Sequence, residues 1–173
     1  MRAKYPLALF VLAAFCASPA WAAPLRCSED PEGGACIWGK VEGFEAGAVQ
    51  LRGLRIQLLG IQAPTHRDLC TNKTAKDEFI CSRPASKRMG ELVAKGVSCD
   101  IMDAAGDTLY GRCRIAEGDL ARLLVSAGLL RAAKDGPYET DQAAALTARR
   151  GLWATDIIPP KDWEAARRRS ERD

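Results

Sequence analysis

The sequence predicts a mainly β fold with added α-helices: a five-stranded barrel of the OB type that carries about three helices. Two observations predict it. Short apolar runs of period two, separated by glycines, fill residues 37–60 and indicate strands joined by tight turns. Two further runs of this kind follow a helical segment, and helical patterns close the chain. Strands interrupted by one helix and followed by others suit a small Greek-key barrel, of which the OB-fold is a common form.

The remaining elements are predicted from periodicity and helix-ending residues. Residues 63–84 have no sustained period and contain Pro64 and Asn72, so we expect a long loop there. Asp119 is a candidate N-cap for a helix that Gly128 ends. Helices are expected at 84–95, 119–127 and 139–150, and a pair of strands at 97–102 and 109–115.

The amino terminus has the order of a secretory signal. A basic head with Arg2 and Lys4 precedes an apolar run over 6–16, and residues 20–22 (Ala-Trp-Ala) form a small-x-small cleavage site. The apolar run is too short to span a bilayer. We expect cleavage near Ala22, a periplasmic or secreted protein, and no stable membrane anchor afterwards. Retention of the segment as an anchor is the alternative.

The predicted organisation is a signal peptide (1–22), an N-terminal arm (23–36), one barrel domain (37–163) and a basic C-terminal tail (164–173). The full chain has 25 basic and 22 acidic side chains, so losing two basic ones with the signal leaves 23 against 22. A protein so close to neutral has no overall field that attracts nucleic acid. Binding of a polyanion would therefore need a local basic patch.

The cysteines predict disulfides. Six of the seven lie beyond the signal segment, and an even number in an exported chain is typical of disulfide bonding. No pair has CxxC spacing and His66 is the only histidine, so we do not expect a zinc site. One pair flanks a predicted turn, and the other two bracket short loops. The predicted bridges are Cys27–Cys36, Cys70–Cys81 and Cys99–Cys113.

Five segments, in order, resemble the thermonuclease (staphylococcal-nuclease-like) domain. Residues 54–65, LRIQLLGIQAPT, are similar to that family's R-I-R-L-x-G-I-D-A-P-E motif, and residues 109–112, LYGR, to its Y-G-R motif. Residues 119–129 resemble the helix that follows. The closing R-x-G-L-W and P-x-x-W motifs are matched by RRGLW at 149–153 and PKDW at 160–163. The family has an OB-type barrel with helices, in agreement with the strand and helix order.

The resemblance implies a calcium-dependent phosphodiesterase acting on DNA and RNA. Such chemistry needs carboxylates that hold a cation, a carboxylate beside the attacking water, and two arginines for the transition-state charge. Only one of these five side chains is retained, as Arg112. Gly47 and Gln62 replace the two metal carboxylates, Thr65 replaces the glutamate at the water, and Gln57 replaces the other arginine.

These replacements predict that no Ca²⁺ or other cofactor is bound. Losing one transition-state donor costs about 10²–10³ in rate, and losing a general base about 10²–10⁴. Arg112 either clamps an anion or serves in a structural ion pair with Asp103 or Asp107. Tyr110 is the candidate for a surviving ligand contact, because the corresponding tyrosine lies near the nucleotide pocket in the family.

Three functions follow as hypotheses. The first is a catalytically silent thermonuclease-like protein that binds nucleic acid, another anionic polymer or a protein partner through the old cleft. The second is an active metal-dependent endonuclease with a remodelled site. The third is a structural scaffold in the cell envelope. A nuclease assay with Ca²⁺ and with chelator separates the second from the others.

Overall fold

The computed structural model describes Cys27 and residues 34–163. The predicted signal peptide (1–22), most of the predicted arm and the predicted tail (164–173) lie outside the described residues. Within the described part, no helix is both long and apolar enough to cross a membrane.

The chain alternates short strands with a few helices. The strands are β1 (Ala35–Gly39), β2 (Gly43–Glu45), β3 (Ala48–Leu51), β4 (Leu54–Leu58), β5 (Ile61–Gln62), β6 (Leu69–Asn72), β7 (Asp77–Ile80), β8 (Val97–Ala105), β9 (Thr108–Ile115), β10 (Gly118–Asp119), β11 (Arg131–Ala132) and β12 (Ile157–Ile158). The helices are α1 (Ser82–Val93), α2 (Leu120–Ser126) and α3 (Glu139–Thr147), with a 3-10 turn at Gly151–Trp153.

One sheet dominates the fold. Its strands lie in the order β1-β8-β9-β4-β3-β2, with β10 attached to β9. Neighbours are antiparallel except β4 and β9, which run parallel. The two end strands, β1 and β2, are separated in the chain only by residues 40–42. Because so short a link spans at most about 14 Å, the sheet ends approach each other. The sheet is therefore curled into a half-barrel, and the fold is mixed α/β with strands predominant.

The core fills the inside of this curled sheet. Strand β4 shows the alternation clearly: Ile56 and Leu58 are buried, whereas Arg55 and Gln57 point to the outer face. Burying a large apolar side chain contributes about 1.5–3 kcal/mol, so this inner face is the main source of stability. The helices add Met89 and Val93 from α1, and Leu120 and Leu124 from α2.

A second, smaller core joins the C-terminal segment to the hairpin of β6 and β7. Trp153 and Trp163 stack with ring centroids 5.1 Å apart, and both are buried. They pack beside the Cys70–Cys81 disulfide, while β12 pairs with β6. The residues that end the described chain are thus held by contacts with a hairpin about 90 residues earlier.

The prediction of a long loop over 63–84 is wrong. Strands β6 and β7 form an antiparallel hairpin there, and α1 begins at Ser82. The turn is shaped by the side chain of Asn72, which accepts hydrogen bonds from the backbone N–H groups of Thr74 and Ala75, both at 2.9 Å. The strands were missed because each has four residues and the pair carries no apolar period of two; β12 supports β6 from far along the chain.

The predicted helices and the predicted strand pair differ from the structure only at their ends, whereas the short strands β5, β10, β11 and β12 were not predicted. Asp119 caps α2 by accepting from the N–H of Arg122 at 2.9 Å, as predicted. Helix α3 ends at Thr147 rather than near Arg150, because Arg149 adopts a φ of 52° and the N–H of Arg150 bonds back to Ala145. Strand β8 continues to Ala105, three residues beyond the predicted end at Met102.

All three predicted disulfides are present. The pairs Cys27–Cys36, Cys70–Cys81 and Cys99–Cys113 have Cα–Cα distances of 5.8, 5.2 and 4.0 Å. Cys99 and Cys113 lie directly opposite each other in the β8–β9 hairpin. Three disulfides in a domain of this size suggest an oxidising environment.

Candidate ligand-binding cleft

The outer face of the curled sheet positions the candidate site. On β4 the side chains of Arg55 and Gln57 point outward because their neighbours Ile56 and Leu58 fill the core. The register places Gln57 opposite Ala48 of β3 on one side and opposite Tyr110 of β9 on the other. Polar side chains of β4 and β9 therefore share one face.

A cleft of about 550 Å³ opens beside this face. Three of the four positions that the resemblance marks as replaced line it, namely Gly47, Gln57 and Thr65. Its opposite wall includes Ser82 and Ser86, which lie one turn apart at the start of α1. Neither serine was predicted as a site residue, because Ser82 falls in the predicted loop over 63–84 and only Ser86 lies in the helix predicted at 84–95.

The fourth replaced position lies elsewhere. Gln62 is exposed in the short strand β5, where it pairs with Arg131 of β11. The structure thus groups Gly47, Gln57 and Thr65, and places Gln62 on the neighbouring two-stranded sheet.

The floor of the cleft is closed at Gly47. A Cβ atom on this glycine would lie 2.8 Å from Cβ of Ala63, 3.0 Å from Cδ1 of Ile61 and 3.4 Å from Nε2 of Gln57. The first two distances are shorter than ordinary contacts between carbon atoms. Any side chain at position 47, including an aspartate, would require Ala63 and the Ile61 side chain to move.

A chain of polar contacts occupies the middle of the cleft. Arg55 Nη2 lies 3.0 Å from a carboxylate oxygen of Glu45, and its Nη1 donates a 3.2 Å hydrogen bond to Oε1 of Gln57. The side chains of Arg55 and Glu45 are 43% and 69% exposed, so this pair adds little to stability. The effect of this ion pair is on the cleft itself: the two charges cancel there. Arg55 also occupies the amide oxygen of Gln57 through its hydrogen bond.

Thr65 is held by its own loop. Its N–H and its hydroxyl both donate to Oδ2 of Asp68, at 2.6 and 2.9 Å, and its hydroxyl oxygen accepts from the N–H of Arg67. These bonds fix the turn that forms one rim of the cleft. Because the hydroxyl of Thr65 is held in these hydrogen bonds, it is not available to take a proton from an attacking water.

The residues at the cleft do not fit a calcium ion. Ca²⁺ takes about six to eight oxygen ligands, several of them carboxylates. Gly47 has no side chain and no space for one, Gln62 lies outside the cleft, and Glu45 is paired with Arg55. Across the described residues, no group of three His, Cys, Asp or Glu side chains is arranged to hold a metal.

Arg112 lies on β9, one strand beyond Gln57, and is partly buried. In the β8–β9 register it faces Asp100, a carboxylate that is fully buried. Arg114 on the same face approaches Oδ2 of Asp100 to 2.8 Å. This ion pair compensates the buried charge of Asp100. Arg112 therefore sits in a field set partly by this buried anion.

Tyr138 lies close to the same region. Burial raises the pKa of Tyr138 well above its ordinary value; the negative charge of Asp119 and its hydrogen bond raise it further, while Arg112 and Arg122 act in the opposite direction. The phenol is thus protonated and serves as a donor.

No protein-family model matches this chain, and no curated protein matches its sequence. The resemblance to thermonucleases therefore rests on the five ordered segments of the sequence.

Proposed function

We propose that this protein is an exported, thermonuclease-like protein without nuclease activity, which binds single-stranded nucleic acid through the cleft beside Gln57. The order of the main sheet supports an OB-type barrel. If β1 and β2 are taken as two halves of one bent first strand, the barrel order is first-second-third-fifth-fourth, with the third and fifth strands parallel.

The packing at Gly47 carries the proposal that the site is silent. The position that the resemblance assigns to a metal carboxylate is filled by neighbouring atoms, with Cβ of Ala63 2.8 Å from where a side chain would begin. A site that had merely lost a carboxylate would leave space there. Here neighbouring atoms fill that space, so the cleft floor is closed. Without a bound cation to neutralise the phosphate, phosphodiester hydrolysis loses its main electrostatic support.

The charges around the cleft support an anionic ligand. Arg83 and Lys87 follow the two lining serines on α1, and both are exposed. Arg67 is exposed on the rim loop. Together with Arg55 this makes four cations, whereas the carboxylates here, Glu45 and Asp68, are bonded to Arg55 and to Thr65 respectively. The lining residues and their sequence neighbours counted here thus carry two more positive than negative charges, although the whole chain is nearly neutral.

The test combines a cleavage assay with a binding assay on the oxidised protein. We expect no cleavage of DNA or RNA with Ca²⁺ or with chelator, and salt-dependent binding of a fluorescent oligo(dT). Replacing Arg83 and Lys87 by glutamine should weaken binding and lower the salt slope by about 1.4, which is about 0.7 for each lost phosphate contact on a single strand.

A matched control variant also loses two positive charges, but at positions outside the cleft. Lys134 and Lys161 are exposed and lie outside the cleft, so their replacement by glutamine should leave the salt slope unchanged. Metal-dependent cleavage that disappears with chelator and in Arg112→Ala would contradict the silent site. Binding that is absent, or equally weakened by both double variants, would contradict the cleft as the binding surface.

A further inference from the structure

A second concave surface lies at the far end of α1. We name it the Trp38 slot; it has a volume of about 280 Å³. It is lined by Trp38, Gly39 and Lys40 of the β1 end, and by residues 94–97 of the turn from α1 into β8. The volume is at the lower limit of about 300–1,000 Å³ for ligand pockets, so the slot suits one planar ring system rather than a larger molecule.

Trp38 makes the slot chemically distinctive. Its side chain is 39% exposed, whereas Trp153 and Trp163 are 1% and 2% exposed. The guanidinium of Arg52 lies 5.9 Å from the centroid of the Trp38 ring. An exposed indole that lines a slot can stack with a further flat ring, and the nearby guanidinium adds a cation–π contact.

The charges of the slot are mainly positive. Lys40 and Lys95 line it, and Arg52 covers the indole. The nearby carboxylate of Glu42 accepts a hydrogen bond from the N–H of Gly53 at 2.8 Å. The C-terminal end of α1 also points here, and its partial negative charge favours an uncharged ring inside the slot over a phosphate. Phosphates would lie outside it, near the lysines.

Helix α1 connects the cleft with the slot. Ser86 lines the cleft and Lys95 lines the slot, a rise of about 14 Å along the helix direction. Between them, Phe44 is 47% exposed and lies against Gly90, where an added Cβ would be 2.6 Å from Cζ of the ring. An exposed aromatic ring therefore lies against α1 between the cleft and the slot.

We infer that the Trp38 slot is a base-stacking subsite for the single-stranded nucleic acid proposed to bind at the cleft; this inference rests on that proposed function. A chain of bases needs flat platforms, and its phosphates need cations between them. An anionic polymer without rings, such as polyphosphate, would use the cations but would gain nothing from Trp38. The slot therefore selects nucleic acid among anionic polymers.

Tryptophan fluorescence tests this inference directly. In a Trp21→Phe background of the full chain, the remaining tryptophans are Trp38 and the buried pair Trp153 and Trp163. Saturation with oligo(dT) should quench and shift the exposed component of the emission. Polyphosphate of equal charge, and an abasic strand of the same length, should bind with little quenching. Unchanged emission at saturation with oligo(dT) would overturn the stacking subsite.

Affinity gives a second, independent readout. Trp38→Ala should weaken oligo(dT) binding about 5- to 150-fold, the usual range for loss of one stacking contact, and leave polyphosphate binding unchanged. Trp38→Phe keeps a ring and should retain most of the affinity. Because Trp38→Ala also removes packing, circular dichroism must show that the variant is folded; Lys40→Gln with Lys95→Gln, which keeps the indole, should weaken binding as well.

The outcomes separate the two proposals. Salt-dependent oligo(dT) binding that requires Arg83 and Lys87 but is unaffected by Trp38→Ala would overturn the subsite and leave the cleft in place. Absence of any oligo(dT) binding would overturn both. Equal loss of polyphosphate and oligo(dT) binding in folded Trp38→Ala would show that the slot does not recognise bases.

Discussion

The hydroxyl of Tyr138 donates a 2.9 Å hydrogen bond to Oδ2 of Asp119, while Oδ1 of the same carboxylate accepts from the N–H of Arg122. One aspartate therefore caps α2 and also anchors the residue that precedes α3. The guanidinium of Arg122 lies 6.0 Å from the centroid of the Tyr138 ring. This cluster fixes the two C-terminal helices relative to each other beside Arg112.

Tyr138→Phe removes the donor and should destabilise the protein by about 1–3 kcal/mol, because a buried hydrogen bond to a charged acceptor is lost. Urea denaturation measures the change. Tyr110→Phe, on the outer face of β9, is the control and should change stability by less than half as much. Equal effects of the two substitutions would show that the Tyr138–Asp119 bond contributes nothing of its own.

The same tyrosine should make stability depend on alkaline pH. Its pKa in the folded protein is raised above the ordinary value of 10.0, so the folded chain keeps a proton that the unfolded chain loses. The stabilisation is full below pH 10.0 and is lost as the pH rises above it. Wild type should lose stability more steeply than Tyr138→Phe over this interval in rapid denaturation measurements. Parallel pH curves for the two proteins would contradict the raised pKa.

Gly47→Ala should destabilise the protein by about 1–3 kcal/mol, the usual cost of overpacking a filled site. The new Cβ would meet Cβ of Ala63 at 2.8 Å. Combining it with Ala63→Gly removes this contact, so the double variant should be more stable than the sum of the single changes predicts. Additive free energies of unfolding would show that the cleft floor is not closed. Gly47→Asp should likewise fail to create Ca²⁺-dependent cleavage.

Gly90→Ala tests the packing of Phe44 on α1. Alanine normally stabilises a helix interior by about 1 kcal/mol relative to glycine. Here the added Cβ would lie 2.6 Å from Cζ of Phe44, so the ring must move away and the gain should be small or absent. In a Phe44→Ala background the full gain should return. Thermal unfolding of the four proteins of this cycle measures the coupling, and the same gain in both backgrounds would contradict it.

Removing the Cys70–Cys81 bridge should cost more than removing Cys27–Cys36. The sequence separations of 11 and 9 are similar, so the entropy gained by the unfolded chain is similar, about 2–4 kcal/mol. Cys70 and Cys81 are fully buried in the second core, whereas Cys36 is only partly buried. Paired cysteine-to-alanine variants compared by urea denaturation provide the test. Equal losses would indicate that burial adds nothing to the cross-link.

The strands of the main sheet were predictable because their signal is local. In β4 buried Ile56 and Leu58 alternate with outward Arg55 and Gln57, and this pattern can be seen in consecutive residues of the sequence. The cap at Asp119 and the cysteine pairing across β8 and β9 are local in the same sense. The hairpin of β6 and β7 was not predictable, because its support comes from β12 and from Trp153 in the second core.

The features of the candidate site likewise fall into those that the sequence determined and those that only the tertiary structure decided. Sequence by itself determined which residues stand at the compared positions, and the resemblance to thermonucleases implies that Gly47 and Gln62 replace carboxylates there. Only the tertiary structure decided that Ala63 closes the space at Gly47, that Gln62 lies on another sheet, and that Arg55 engages Gln57. Residue identity is carried by each position alone, whereas the space around a side chain depends on atoms that distant parts of the chain supply.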